Sequence, residues 1–181
     1  MKYKTPTSKR TKQLAMILSL IPNMVLAQQG VIVFHNCENF FYPTKDSIAL
    51  DDDFTLEGKK RWSFSRYNSK KNLLAKTYIA AGKGNMPAII GLCEVENDKV
   101  LNDLCKDSPL RKGNYKYIHY PSQDIRGIDV ALLYNEQFSP ISHYKLEAET
   151  DPNEEKTRDV LYVQGMMQEV KINIYVIHAP S

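Results

Sequence analysis

AIIGLCEVEN, residues 88–97, decides how the rest of the chain is read. From Ala88 to Cys93 the run is apolar without a helical period, and it is too short for a buried helix. It therefore reads as a strand covered on both faces, the kind found in the middle of an α/β sheet. The strand ends on Glu94. A carboxylate there is costly unless a cation or hydrogen-bond donors compensate it. Upstream, VIVFHNCENFF (31–41) has the same form, β-branched and aromatic residues leading to Asn36. Downstream, RGIDVALLY (126–134), TRDVLYV (157–163) and INIYVIHAPS (172–181) place Asp129, Arg158 and His178 beside apolar runs.

The intervals fill in the architecture. RYNSKKNLLAKTYIAAGKG (66–84) has helical spacing, with Leu74, Tyr78 and Ala81 inward, Lys70 and Lys71 on the other face, and Gly82 and Gly84 as the stop. Asn97 can cap a second helix through Cys105, with Val100, Leu101 and Leu104 inward. Strands are expected at 115–120, 128–135, 138–147, 160–167 and 170–178, with Gln168-Glu169 as the turn between the last two. The polar stretch 43–65 reads as a loop; its DDD (51–53) lacks the alternating spacing and turn glycine of a calcium loop. Strand–helix–strand–helix followed by strands implies a layered α/β fold with mixed sheets and a site at the strands' carboxyl ends. Asn36 and Glu94 are then expected within a few ångströms of each other on parallel neighbours, with His178 on the same rim.

Residues 1–27 read as a cleavable export signal. Lys2, Lys4, Lys9, Arg10 and Lys12 precede LAMILSLIPNMVLA (14–27), which is too short to span a bilayer and offers Val25 and Ala27 before a cleavage point at Gln28. The expected location is periplasmic or secreted, with no transmembrane span in the mature chain. The whole chain carries +3, and this segment holds five positive and no negative charges, so residues 28–181 carry −2. That is no basic footprint for nucleic acid. Cys37 and Cys93 read as buried thiols rather than a disulfide, both facing away from the site if Asn36 and Glu94 face it.

In order and spacing these segments resemble the endonuclease/exonuclease/phosphatase superfamily. NCENFF fits its first-strand Asn motif, LCEV its metal-binding Glu motif, GIDVALLY its middle strand and VIHAPS its His-x-Pro-Ser loop. The resemblance implies a four-layer α/β/β/α sandwich in which two sheets are flanked by helices. It implies a deoxyribonuclease-like, metal-dependent phosphoesterase using Mg²⁺, or another divalent cation such as Mn²⁺ or Ca²⁺. Glu94 would hold the metal, Asn36 would act beside it on the substrate phosphate, and Arg158 would contact that phosphate. His178 would face the phosphate and lean on a carboxylate, with Asp129 the expected partner and Asp124 the alternative. Asn39 reads better as a turn residue, Glu96 as a helix-start residue, and Arg158 equally as half of a surface pair with Asp159 or Glu155.

Two departures qualify the resemblance. Glu96 stands where DNA-cutting relatives carry a basic residue, which argues against duplex DNA and leaves other nucleic acids, phospholipids and small phosphate esters as substrates. The family's Gly-Asp-x-Asn and Asp-His motifs do not occur before Ser181. Residues 28–181 are thus expected to be the N-terminal part of the domain and to hydrolyse phosphoesters poorly alone. The alternative is an inactive fragment or a non-catalytic interaction module.

Overall fold

The computed structural model describes residues 30–45, 52–147 and 159–179. The export signal at 1–27 and Arg158 lie outside them. Strand β1 (Ile32–Phe40) leads through a 3-10 turn at Asp52–Phe54 into helix α1 (Phe64–Ala81) and strand β2 (Ile89–Val95). Helix α2 (Asp98–Lys106), a 3-10 turn at Pro109–Gly113, and strands β3 (Lys116–His119) and β4 (Asp129–Tyr134) follow. Strands β5 (Phe138–Leu146), β6 (Val160–Met167) and β7 (Val170–Val176) complete the described chain.

The first sheet has the order β1-β2-β4-β3, with β1 parallel to β2 and the other pairs antiparallel. The second is the antiparallel meander β5-β6-β7. Its last turn is Gln168-Glu169, with φ values of 50° and 66°, the two left-handed positions that a tight hairpin between right-twisted strands requires. Ile90, Leu92, Ala131 and Leu133 of the first sheet pack under the helices, while Ile89, Cys93, Val130 and Leu132 pack against Leu161, Val163 and Val176 of the second. Gly165 permits this sandwich, because a Cβ there would lie 2.3 Å from Phe138 Cζ. On the second sheet's outer face Tyr144, Tyr162 and Tyr175 form one register row, with ring centroids 4.7 and 5.0 Å apart. No described helix is long and apolar enough to cross a membrane.

Both helices begin on polar caps. Ser63 accepts from Arg66 N, and Asn97 accepts from Lys99 N and Val100 N at 2.9 and 3.2 Å, which satisfies amides that have no partner inside the helix. Val100, Leu101 and Leu104 are buried as the spacing implied. In α1 the buried row is Tyr67, Lys71, Leu74, Ala75 and Tyr78. Two expectations fail here: Ala81 is exposed, and Lys71 belongs to the inner face. Lys71 can be buried because its ammonium reaches Asp107 at 2.5 Å while its stem packs on apolar neighbours. That contact holds the Asp107 carboxyl below its ordinary value.

The cysteines are free and buried, but Cys37 and Cys93 do not share a face. Cys37 lies under the helices, 3.6 Å from Tyr78 Oη, whereas Cys93 lies between the sheets, 3.6 Å from the Ile177 carbonyl. Register explains the correction: Asn36 pairs with Cys93, so these two point the same way and Cys37 points the other. Burial pushes the Cys93 thiol up to about 12, an inert group at neutral pH.

Candidate active site

Strand alternation alone would put Glu94 under the helices. In β2, Ile90 and Leu92 face that way and Ile89 and Cys93 face the second sheet, yet Val95 is again under the helices. One residue has been inserted. The pairing jumps from Cys93–Val130 to Val95–Asp129, and Glu94 has φ 57°. This bulge carries a left-handed non-glycine residue at a cost on the order of 1 kcal/mol, and it turns the carboxylate off the strand end onto the rim.

There the carboxylate meets Asn36 and His178. Asn36 Nδ2 donates to Glu94 Oε1 at 3.0 Å and lies 3.4 Å from His178 Nε2, which is itself 3.4 Å from Glu94 Oε1. The side chains of His178 and Glu94 are 19% and 16% exposed, sheltered but open to a ligand. His178 Nδ1 is buried and has no hydrogen-bond partner among the described residues. If Nε2 accepts from Asn36, Nδ1 carries a proton with no acceptor; if Nε2 donates to Glu94, Nδ1 is a lone pair with no donor. Either tautomer leaves one ring nitrogen unmet.

A second set of bonds fixes this trio. Beyond Asn36, β1 bulges away from β2, and Glu38 and Asn39 adopt φ values of 54° and 63°. Glu38 N donates to Asn36 Oδ1 at 2.8 Å and Asn39 N donates to Glu94 Oε2 at 2.9 Å. Asn39, read as a turn residue, lies instead in this bulge inside β1, where its backbone N–H holds Glu94. Glu96 accepts from Tyr42 N at 2.5 Å, while the helix cap is Asn97.

Asp129 is not the partner of His178. It pairs with Val95 in β4, on the helix-covered face with Ala131, whereas Asn36 and the chain end after β7 lie on the other face. Its carboxylate instead receives His119 Nε2 at 2.9 Å and Ser122 N at 2.9 Å. The other nitrogen of His119 is 3.0 Å from Asp98 Oδ1 at the start of α2. Burial alone would lower the His119 pKa, but bonds and charge from Asp129 and Asp98 outweigh it and raise the imidazole above its ordinary value. Asp124 is engaged by Arg126, from Nε at 3.1 Å and from Nη2 at 3.0 Å. His119 was missed in the sequence, although its place in YKYIHY beside GIDVALLY was a usable signal.

Among the described residues no group of three or more His, Cys, Asp or Glu is placed to hold a metal ion. The donors at the rim are the Glu94 carboxylate, the Asn36 amide and Nε2 of the His178 imidazole. That set does not fit a closed zinc site. It fits a hard cation such as Mg²⁺, which uses one or two protein carboxylates and fills the remaining positions with water and phosphate oxygens.

The sequence profile of the Endonuclease/Exonuclease/phosphatase family matches residues 31–181. The chain belongs to that family. No curated protein matches it significantly. Among solved structures it is similar to TDP2 from Caenorhabditis elegans, at 18% identity and a TM-score of 0.44, covering 62% of this chain and 30% of that one. For a truncated form of the same protein the cover is 40% of that chain. The human Nocturnin catalytic domain with bound sulfate gives 17% identity and a TM-score of 0.43, covering 59% and 41% of the two chains. The chain therefore spans well under half the length of these structures.

Proposed function

We propose that this chain carries part of the active site of an exported, Mg²⁺-dependent phosphoesterase. The observation that supports it most is the convergence of Asn36, Glu94 and His178, 58 and 142 residues apart along the chain, at distances of 3.0–3.4 Å. Two strained left-handed segments bring them there, at a cost that packing alone does not call for. Glu94 and, through its amide oxygen, Asn36 would hold the cation. When bound, it supplies Lewis-acid neutralisation of phosphate charge and a more acidic water. The Asn36 amide donates to a phosphate oxygen, and His178 moves a proton at Nε2 or steadies the developing charge. Arg158 would add a bidentate phosphate contact. Export rests on the basic and apolar pattern of residues 1–27.

The substrate class is a phosphodiester or phosphomonoester on nucleic acid, lipid or a small molecule. The test is hydrolysis of bis(p-nitrophenyl) phosphate and p-nitrophenyl phosphate in Mg²⁺, beside calorimetric titration with Mn²⁺. Glu94→Ala should abolish both turnover and Mn²⁺ binding. Mn²⁺ binding unchanged by Glu94→Ala, or unchanged turnover in a preparation that hydrolyses either ester, would overturn the reading.

A further inference from the structure

The Glu38–Asn39 turn has two sides. Its N–H groups point to the rim, where they hold the Asn36 amide and the Glu94 carboxylate. Its carbonyls point away from the rim, and both meet one side chain: Lys70 Nζ donates to Glu38 O at 2.6 Å and lies 3.4 Å from Asn39 O. Lys70 reaches them from α1 across the face of Trp62, its Nζ 5.6 Å from the ring centroid. Trp62 is itself anchored, donating from Nε1 to Phe41 O at 2.8 Å just past the end of β1. Arg66, one turn before Lys70, stands 5.9 Å from the same ring. The sequence reading put Lys70 on a solvated face; burial instead pulls its pKa below the ordinary lysine value, with Cys37, Glu38 and Glu94 drawing it part of the way back.

We propose that Lys70 is a positioning residue, whose ammonium holds the Glu38–Asn39 turn in the conformation that aims Asn36 and Glu94. For its meaning in catalysis this rests on the function proposed above. The physical argument is independent of it. Two adjacent left-handed, non-glycine residues are unfavourable unless their surroundings over-determine them. An ammonium has three donors and no acceptor, so it can satisfy two carbonyls that have left the sheet ladder. Removing it leaves those carbonyls to water and lets the turn relax to ordinary extended backbone. Both N–H contacts to the rim would then be lost together. Trp62 is the platform that keeps a flexible lysine stem from wandering.

The test is amide hydrogen exchange on the whole chain without metal, followed by titration with Mn²⁺, for wild type, Lys70→Met, Lys70→Arg and Trp62→Leu. In Lys70→Met the Glu38 and Asn39 amides should exchange about tenfold faster, the factor expected for losing roughly one hydrogen bond's net worth. Exchange at Leu92 and Leu132 in the core should not change. Mn²⁺ affinity should fall about tenfold, as for other residues that orient a ligand. Lys70→Arg, which keeps the donors, should restore most of both, and Trp62→Leu should shift both in the direction of Lys70→Met. Unchanged protection of Asn39 in Lys70→Met overturns the proposal. Should that variant fail to fold, unchanged protection in Trp62→Leu does so. If no protein binds Mn²⁺, the metal reading fails while the exchange data still decide the role of Lys70. If Glu94→Ala abolishes Mn²⁺ binding and Lys70→Met leaves exchange unmoved, only the present proposal fails.

Discussion

Two strand-end regions of this molecule each bring a histidine to a carboxylate, and they use it in opposite ways. Where β3 and β4 meet α2, His119 is clamped by Asp129 on one nitrogen and Asp98 on the other. Where β1, β2 and the segment after β7 meet, His178 touches Glu94 and Asn36 through Nε2, and its buried Nδ1 has no hydrogen-bond partner among the described residues. An unmet buried polar atom costs about 1–3 kcal/mol. The first region uses both imidazole nitrogens to tie the end of β3 to β4 and to the start of α2. The second leaves Nδ1 unmet among the described residues and keeps Nε2, the nitrogen the proposed chemistry uses, on the half-sheltered rim beside Glu94 and Asn36. A histidine's partners, counted nitrogen by nitrogen, separate a pin from a tool better than its neighbourhood does.

Activity offers the largest contrast. In a preparation with Mg²⁺-dependent hydrolysis, His178→Ala should lower the initial rate by about 10²–10⁴, the usual worth of a positioned acid–base group. His119→Ala, assayed where it is fully folded, should leave the rate within about threefold, because no reacting atom is expected on its side of the sheet. Equal losses would break the distinction. Stability should show the reverse order. In urea unfolding His119→Ala should cost about 3 kcal/mol, since it strands the Asp129 carboxylate, whereas His178→Ala should cost well under about 1 kcal/mol. Asn97→Ala sharpens the structural side: losing the cap that presents Asp98 to His119 should cost about 1 kcal/mol by the same measurement.

The smallest expected effect is a pH slope. His119 has a folded pKa above its ordinary value. The stability it contributes is therefore complete below the unfolded imidazole value and is lost as pH rises through the raised folded value. Urea midpoints should drift down through that window. Asp98→Asn should flatten the drift and lower the His119 pKa, read from its ring resonances by NMR. A drift unaltered in Asp98→Asn would assign it to another group.

The strands and helices were legible because each buried run is apolar over its whole length and each helix starts at a Ser or Asn with side-chain acceptor geometry. The rim trio was legible because polar residues at the ends of such runs have little structural excuse. What the sequence hid follows from two things that pattern does not encode. A bulge shifts the alternation in β2, so that Glu94 leaves the helix-covered face, while Asp129 keeps the regular alternation of β4 and lies on the face opposite His178. Long charged stems also hide: Lys71 shares the helix face of Tyr67, Leu74 and Tyr78 and is buried through Asp107, and Lys70 reaches the Glu38 and Asn39 carbonyls, although residue type alone put both on the solvated face. The row Trp62, Arg66, Lys70, four residues apart each time, was the visible trace of that second arrangement.

Trp62 is the chain's single tryptophan, and it carries two cations over its ring while its indole N–H is bonded to a backbone carbonyl. Its fluorescence is therefore a local signal with no second indole to dilute it. Withdrawal of the Lys70 ammonium removes a charge from beside the excited ring and admits water to it, so emission should shift in colour and intensity. Ligand entry at the rim, breathing of the turn and substitution of Lys70 all become optically readable in the unlabelled protein.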